Sequence, residues 1–518
     1  GGSPANLTRS DEASDTGPVF TPDSRAVAFN RRGKTESSTN IALLTLEDRA
    51  VRPLTQEKEA GIYWRAVAFT PDGRRLIANR SDAGGVRSSV WSIDVATGAA
   101  ERLAGERDRG YAAASDVSAE GGRIALVLED AEGRRQAGIL DLATGGTRLL
   151  QPGPWPQATT RFSPDGASLL FAANVDGRDE VLLYDLRAAK AEKLALPEGV
   201  NSDFFGAMPA FSPDGTRILF PHSSGSTPTD WWIYDRAAAA ASPLTRLNVA
   251  SIKPAQLPRT QVVRYRSRDG LVISALLWMP FNLPRDGSAP AVVIAHGGPT
   301  AQTQDRFDQT AVALASRGYV VIAPNVRGST GYGRAFEEAN RRDLGGGDLE
   351  DEANAARFLV QSGYVDPKRI GITGGSYGGY MTVMALAKMP DFWAAGVEQY
   401  GIVNWNTMWE RGSPALREYQ RMLIGDPVKD KAVYAAVSPL TFLGNVRSPL
   451  LVLQGENDIR VPKYEAEQIV QRLKAKGATV EATYYPGEGH GFLKRENQID
   501  ALERTVAWFE QHLKPARP

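Results

Sequence analysis

The sequence predicts two domains of different class. Residues 1–252 read as a repeat array of short strands of β-propeller type, and residues 253–518 as a doubly wound, mostly parallel α/β sheet. Three observations predict this. The signature Phe-x-Pro-Asp recurs at Phe20, Phe69, Phe162 and Phe211, marking a unit of about fifty residues. Beyond about residue 260, apolar strand-like runs alternate with helical ones. Between one such strand and the next helix stands Gly374-Gly375-Ser376-Tyr377-Gly378-Gly379.

The repeat comes first in the chain. A degenerate copy of the signature, Val117-Ser118-Ala119-Glu120-Gly121, fills the gap between the second and third full ones. In the Pro-Asp-Gly copies, Pro presets φ and Gly supplies the positive φ of a tight turn. Each copy is followed by an apolar strand such as Ala26-Val27-Ala28-Phe29 or Ile218-Leu219-Phe220, then by one such as Val90-Trp91-Ser92-Ile93-Asp94. Each unit closes on a Leu-Thr-like strand, as at Leu54-Thr55 and Leu244-Thr245. Five complete blades can be counted. The opening stretch, Gly1 to Thr8, resembles the closing strand of a sixth unit, which points to a natural chain longer than this one or to a blade completed in another way. Asn248 to Thr260, with Pro254 and Pro258, reads as the linker. Gln261 to Arg266 and Leu271 to Trp278, joined through Arg268-Asp269-Gly270, read as a hairpin that starts the second sheet.

In that second domain the strand Arg369 to Thr373 leads into the glycine-framed serine, and a helix opens at Tyr380. G-x-S-x-G alone is a weak signal. Flanked by strand and helix it describes a nucleophile elbow, a strained turn that lifts Ser376 clear of the sheet. The chain has four histidines in which to seek a base. His222 follows a blade strand and reads as structural. His512 falls on the last helix, Ala501 to Leu513, on a face read as solvated. His296 opens His296-Gly297-Gly298-Pro299 after the strand Ala291 to Ala295, and reads as shaping that loop. His490 lies in Gly487-Glu488-Gly489-His490-Gly491-Phe492, a loop beyond the serine, where a hydrolase fold brings its general base.

The orienting acid is expected between them, past the carboxyl end of a strand. Ser448 to Gln454 is a continuous apolar run, read as a buried parallel strand, and Asp458 stands in the loop that follows. Asp458 could instead cap the helix predicted at Lys463 to Lys476, and Glu456 is a less well placed competitor. The order Ser376, Asp458, His490 is that of α/β-hydrolases. An oxyanion needs backbone N–H donors. Tyr377, directly after the serine, supplies one, and Gly298 is the candidate for the second.

Composition narrows the field. With 60 basic and 60 acidic residues the formal charge is zero, so neither nucleic acid nor an acidic membrane is implied as a partner. The apolar runs fall short of a membrane span. No cysteine is present, which excludes a disulfide framework, thiol chemistry and a Cys-based zinc site; no metal or other cofactor is expected. The compartment, cytoplasmic or exported, is left open, as is the choice between a single chain and a homo-oligomer.

Propeller plus hydrolase, with these motifs, resembles the prolyl oligopeptidase family of serine peptidases, and within it the acylaminoacyl-peptidase-like branch. The matching stretches are His296 to Pro299, Asn325-Val326-Arg327-Gly328-Ser329-Thr330-Gly331-Tyr332-Gly333, Gly374 to Gly379, Asp458-Ile459-Arg460-Val461-Pro462 and Gly489 to Phe492, in family order. The resemblance implies hydrolysis of short peptides through an acyl-enzyme, with the propeller shielding the site from folded proteins. It carries over Ser376, Asp458 and His490 as triad and Gly298 and Tyr377 as oxyanion donors. It implies that Arg460 binds a substrate carbonyl next to the scissile residue, against the alternative of a structural salt bridge. It also implies that Val403, Trp405, Trp409 and Val461 give an apolar specificity pocket, against the alternative of ordinary core residues. Two features depart from the family pattern. The countable blades are fewer than relatives commonly carry, and the propeller shows no Glu-Glu pair of the kind dipeptidyl peptidases use to grip a free amino terminus. An esterase on the same scaffold, and a binding propeller with a vestigial hydrolase, are the alternative readings.

Overall fold

The computed structural model describes residues 5–82, 85, 87–105, 110–202, 208–247 and 253–514, with the backbone alone at Thr159 and Thr160. The described chain divides into two compact units. The first holds five four-stranded antiparallel sheets, spanning residues 13–53, 62–104, 112–149, 157–193 and 210–243. In each sheet the strands lie side by side in sequence order, as propeller blades do. The second unit runs from Leu247 and also takes in two hairpin tips, Asp176–Arg178 and Ser223–Thr229. The boundary predicted after residue 252 lies in 248–252, outside the described residues.

The repeated signature works through the residue between Phe and Pro, which is always a hydroxyl. In the first blade Thr21 Oγ1 donates to Asp23 Oδ1 at 2.7 Å and accepts the Ala26 N–H at 3.0 Å. Thr70, Ser163 and Ser212 do the same with the Asp two residues on and the N–H five residues on. Even the degenerate copy keeps half of it, with Ser118 Oγ accepting the Arg123 N–H at 3.0 Å. The turn's left-handed residue is Gly73, Gly121, Gly166 or Gly215 in four blades and Ser24, with φ +58°, in the first.

One expectation for this unit is corrected. Residues 1–4 lie outside the described residues, and residues 5–12 form no strand; the first strand begins at Ala13. A closing strand needs a neighbour's N–H and C=O groups to pair with, and no described strand pairs with residues 5–8.

The second unit is built on one eight-stranded sheet. Its strands are β1 (Thr260–Arg266), β2 (Val272–Trp278), β3 (Ala289–Ala295), β4 (Val320–Asn325), β5 (Val365–Gly375), β6 (Ala395–Gln399), β7 (Leu450–Gly455) and β8 (Val480–Tyr485). Their order is β1-β2-β4-β3-β5-β6-β7-β8. The β1–β2 hairpin is antiparallel, β2 pairs antiparallel with β4, and the rest are parallel. The helices that matter below are α1 (Gln309–Ala315), α2 (Gly347–Gln361), α3 (Tyr377–Lys388), α4 (Trp405–Arg411), α5 (Pro414–Ile424), α6 (Tyr464–Ala475) and α7 (Arg495–Leu513).

Strand periodicity distributes the core over both faces. Ala289, Ala291, Val293 and Ala295 of β3 belong to the buried cluster that also holds residues of α2, α3 and α6, whereas Val292 belongs to the cluster of the other face with residues of α1 and α7. Leu450 and Val452 of β7 divide from Leu451 and Leu453 in the same way. Burial on both faces is why these strands read as continuous apolar runs. After β3 the chain crosses to β4 on one side and returns to β5 on the other, so the carboxyl ends of β3 and β5 flank the point where strand order reverses. Open α/β sheets place their sites at such a point.

Two details differ from the sequence reading. Helix α7 begins at Arg495, ahead of the predicted Ala501, because the buried Glu488 carboxylate accepts the N–H groups of Leu493 and Lys494 and the Asn497 amide and so organises its entry. His512 is not on a solvated face. Its ring packs edge-on against Trp508 at 4.4 Å, and burial lowers its imidazole below the ordinary value. Among the described residues no helix is long and apolar enough to cross a membrane.

Candidate active site

Ser376 caps α3 with φ +59° and ψ −118°, a left-handed conformation that a non-glycine residue adopts at a cost of about 1–3 kcal/mol. The turn is pinned from both sides. Ser376 donates its N–H to the Gln399 carbonyl at 2.9 Å, and its own carbonyl accepts the Tyr380 N–H at 3.0 Å. The glycines are demanded by neighbouring backbone. A Cβ on Gly374 would lie 2.3 Å from the Ala295 oxygen, and one on Gly378 only 2.0 Å from it. Strand β3 thus presses directly on the elbow, and no side chain fits between. Helix α3 begins at Tyr377, immediately after the serine and ahead of the predicted Tyr380.

Asp458 lies in the loop after β7 and His490 in the loop after β8. His490 Nδ1 is 2.8 Å from Asp458 Oδ2. The other carboxylate oxygen, Oδ1, accepts the N–H groups of Arg460 at 2.8 Å and Val461 at 2.9 Å. The Asp458 side chain is fully buried, so its orientation is set by these partners and not by solvent. The two loops interlock: Asn457 donates to the Glu488 carbonyl at 2.8 Å, and a Cβ on Gly455 would strike the Gly489 oxygen. Glu456 is instead turned to an ion pair with Lys463 at 3.2 Å.

With Nδ1 committed to Asp458, Nε2 is the nitrogen of His490 left for proton exchange. His490 and Ser376 line one cavity of about 570 Å³, together with Gly297, His296 and Tyr400. Gly297 backs onto the nucleophile, since a Cβ there would sit 3.6 Å from Ser376 Cβ. Gly298 has φ +128°, and a Cβ would meet the Thr300 nitrogen at 2.8 Å. As the first residue of α3, Tyr377 has an N–H that no carbonyl of its own helix can accept. His296 is half-buried, with Nε2 2.8 Å from Ser329 Oγ and Nδ1 2.6 Å from the Gly297 carbonyl, and desolvation holds its imidazole below the ordinary value. These contacts tie it to the shape of the loop.

The remaining expected residues separate. Arg460 is exposed and makes no ion pair among the described residues. Val403, Trp405 and Val461 share one buried cluster with Tyr377 and Tyr380. Trp409 stands outside that cluster, partly exposed, with the Arg421 guanidinium over its ring at 5.2 Å.

Sequence reading passed over four residues that shape the site. Tyr400, with φ +41°, sets its ring edge-on to His490 at 4.9 Å. Tyr419 of α5 donates its hydroxyl to Thr300 Oγ1 at 2.8 Å, behind the glycine loop. Glu398 of β6 is fully buried and pushed up to about 8 by burial, while its Oε2 accepts the Gly401 N–H at 2.8 Å. Asp348 of α2 accepts the Tyr377 hydroxyl at 2.5 Å. Two carried a signal, an acid inside the apolar run of β6 and a tyrosine next to a strained turn. The other two meet the site through tertiary contacts alone.

Residues 305–516 match the model of the prolyl oligopeptidase family. The chain is 32% identical over 389 residues to dipeptidyl aminopeptidase BIII of Pseudoxanthomonas mexicana, an alignment covering 72% of this chain and 55% of that protein. It is 29% identical over 264 residues to the acylamino-acid-releasing enzyme of Sus scrofa, covering 49% of this chain and 35% of the other. The chain spans about half the length of the curated relatives it matches. Among solved structures, a puromycin-hydrolyzing peptidase of Mycobacterium tuberculosis superposes with a TM-score of 0.88 at 25% identity, covering 98% of this chain and 80% of that one.

Proposed function

Because the chain belongs to the prolyl oligopeptidase family, we propose that it is a serine peptidase that hydrolyses short peptides through Ser376, Asp458 and His490. The observation that carries this reading is the His490–Asp458 bond at 2.8 Å beside a strained serine lining the same cavity. Ser376 Oγ attacks the scissile carbonyl carbon while His490 Nε2 takes its proton. Asp458 holds the ring in the tautomer with hydrogen on Nδ1 and stabilises the imidazolium. The carbonyl electrons move to oxygen, and the Gly298 and Tyr377 N–H groups are the donors assigned to that oxyanion. As the carbonyl re-forms, the C–N bond breaks and His490 returns the proton to the leaving amine. Water, deprotonated by the same histidine, then releases the acyl group. In this reading Val403, Trp405 and Val461 back an apolar pocket for the residue before the scissile bond, with Trp409 at its outer side. The blades are assigned the exclusion of folded proteins.

The test is a panel of short chromogenic peptides with free and with acylated amino ends. It is run beside a simple ester and beside a stable folded protein displaying an accepted sequence in a surface loop. We expect cleavage of peptides and of the denatured protein, and none of the folded one. Turnover of esters alone would replace the reading with an esterase, turnover of nothing would favour a binding module, and equal cleavage of folded and denatured protein would remove size selection.

Arg460 is assigned to the substrate carbonyl next to the scissile residue. Arg460→Ala is expected to lower kcat/KM on peptides by about 10–100-fold, the loss of one charge-assisted hydrogen bond. Turnover of p-nitrophenyl acetate, which lacks that carbonyl, should change little. Equal losses on both substrates would show that Arg460 acts on the Asp458 loop instead.

A further inference from the structure

Asp348 lies on α2, far from the serine in sequence, and it is fully buried. Its Oδ2 accepts the Tyr377 hydroxyl at 2.5 Å and the Asn340 amide at 3.3 Å, and its Oδ1 accepts the Leu349 N–H at 2.9 Å. Unlike Asp351, which pairs with Arg327 at 2.8 Å on the same helix, Asp348 makes no ion pair among the described residues. Its carboxyl is pushed up to about 6 by burial, against the lowering effect of the Tyr377 and Asn340 bonds, so it is ionised at mildly alkaline pH. Burial drives the Tyr377 phenol well above its ordinary value, so that hydroxyl stays a donor.

An unpaired carboxylate in a core is costly. A phenylalanine facing a leucine would fill the same space without that cost. What the pair supplies is position: Tyr377 is the residue after the strained Ser376, and its N–H is one of the two assigned oxyanion donors. Its ring is clamped by Tyr380 at 4.9 Å, and its hydroxyl bond to Asp348 is the contact that sets how deep the side chain sits. Backbone held at +59° beside it tends to relax, and a shift of even 1 Å in a donor costs about 100-fold.

We propose that Asp348 is a positioning residue for the oxyanion hole, acting through the Tyr377 side chain to fix the Tyr377 N–H. This rests on the serine peptidase reading above and adds to it a residue that touches neither substrate nor nucleophile. It differs from a packing role in where its loss is felt. A loosened donor weakens binding of the tetrahedral state and leaves the ground state alone.

The experiment compares Asp348→Leu, which has no acceptor for the Tyr377 hydroxyl, Tyr377→Phe and the double variant with the unaltered chain. It measures kcat and KM on a peptide p-nitroanilide, inhibition by a peptidyl boronic acid as tetrahedral mimic, and inhibition by the product peptide. We expect kcat to fall about 10–100-fold with KM and product inhibition within about twofold, and boronate binding to weaken in step with kcat. The double variant should lose no more than the worse single one, since both remove the same contact. Unchanged kcat in the folded single variants, additive losses, or losses in KM alone would overturn the proposal. Leucine is close to Asp348 in shape, and Tyr377→Phe removes one oxygen, so if one variant fails to fold the other decides. If the unaltered chain neither turns over peptides nor reacts with a fluorophosphonate at Ser376, the underlying reading fails, and that outcome is distinct from a working enzyme indifferent to Asp348.

Discussion

Ser376→Ala is expected to lower kcat on a short peptide by about 10⁴-fold or more, with the fold intact and peptide binding retained. The substitution removes the attacking oxygen and little else. The Ser376 contacts that hold the turn are made by its backbone, through the Gln399 carbonyl and the Tyr380 N–H. Alanine accepts the left-handed backbone no worse than serine, so stability should change by less than about 1 kcal/mol. Steady-state kinetics on the most reactive peptide of the panel, with thermal melting as the control, measures this. A loss below about tenfold in a folded variant would mean that hydrolysis does not pass through this serine.

Asp458→Asn is expected to cost about 10⁴-fold in kcat, almost as much as losing the nucleophile. The reason is specific to how Asp458 is held. Its Oδ1 accepts two backbone N–H groups, from Arg460 and Val461, while Oδ2 faces His490 Nδ1. An asparagine must turn its oxygen toward those two donors, which leaves its NH₂ pointing at Nδ1. The imidazole then accepts at Nδ1 and carries its hydrogen on Nε2, where the base is needed. Fluorophosphonate labelling of Ser376 should slow along with peptide hydrolysis, because both require the same deprotonation. A variant that hydrolyses peptides within tenfold of the original would remove Asp458 from the mechanism.

Much of this arrangement is legible in the sequence because backbone, not side-chain contact, demands it. The elbow glycines are required by the carbonyl of Ala295, and a glycine that must stay glycine is visible without a structure. The blades are legible for the same reason, through a turn repeated with its Pro and Gly. What carries each turn, however, is the hydroxyl before the proline, at Thr21, Thr70, Ser163 and Ser212, and the first copy keeps its left-handed residue as Ser24 instead of glycine. Other features depend on contacts that no local pattern announces. Asp348 sits in an ordinary acidic first turn of a helix, and nothing in its neighbourhood points to Tyr377. His512 falls on a mixed face of α7, and its burial follows from Trp508 one turn earlier and the sheet beneath. The opening residues look like a closing strand, but a strand is made by its partner, and residues 5–8 have none among the described residues.

In the proposed mechanism one serine carries the chemistry. This is tested most directly by inactivating the enzyme with a fluorophosphonate and locating the adduct by peptide mass spectrometry, with and without a competing short peptide. One adduct is expected, on Ser376, its formation paralleling loss of peptidase activity and slowed by the peptide. Full peptidase activity in a chain whose Ser376 is stoichiometrically modified would contradict it.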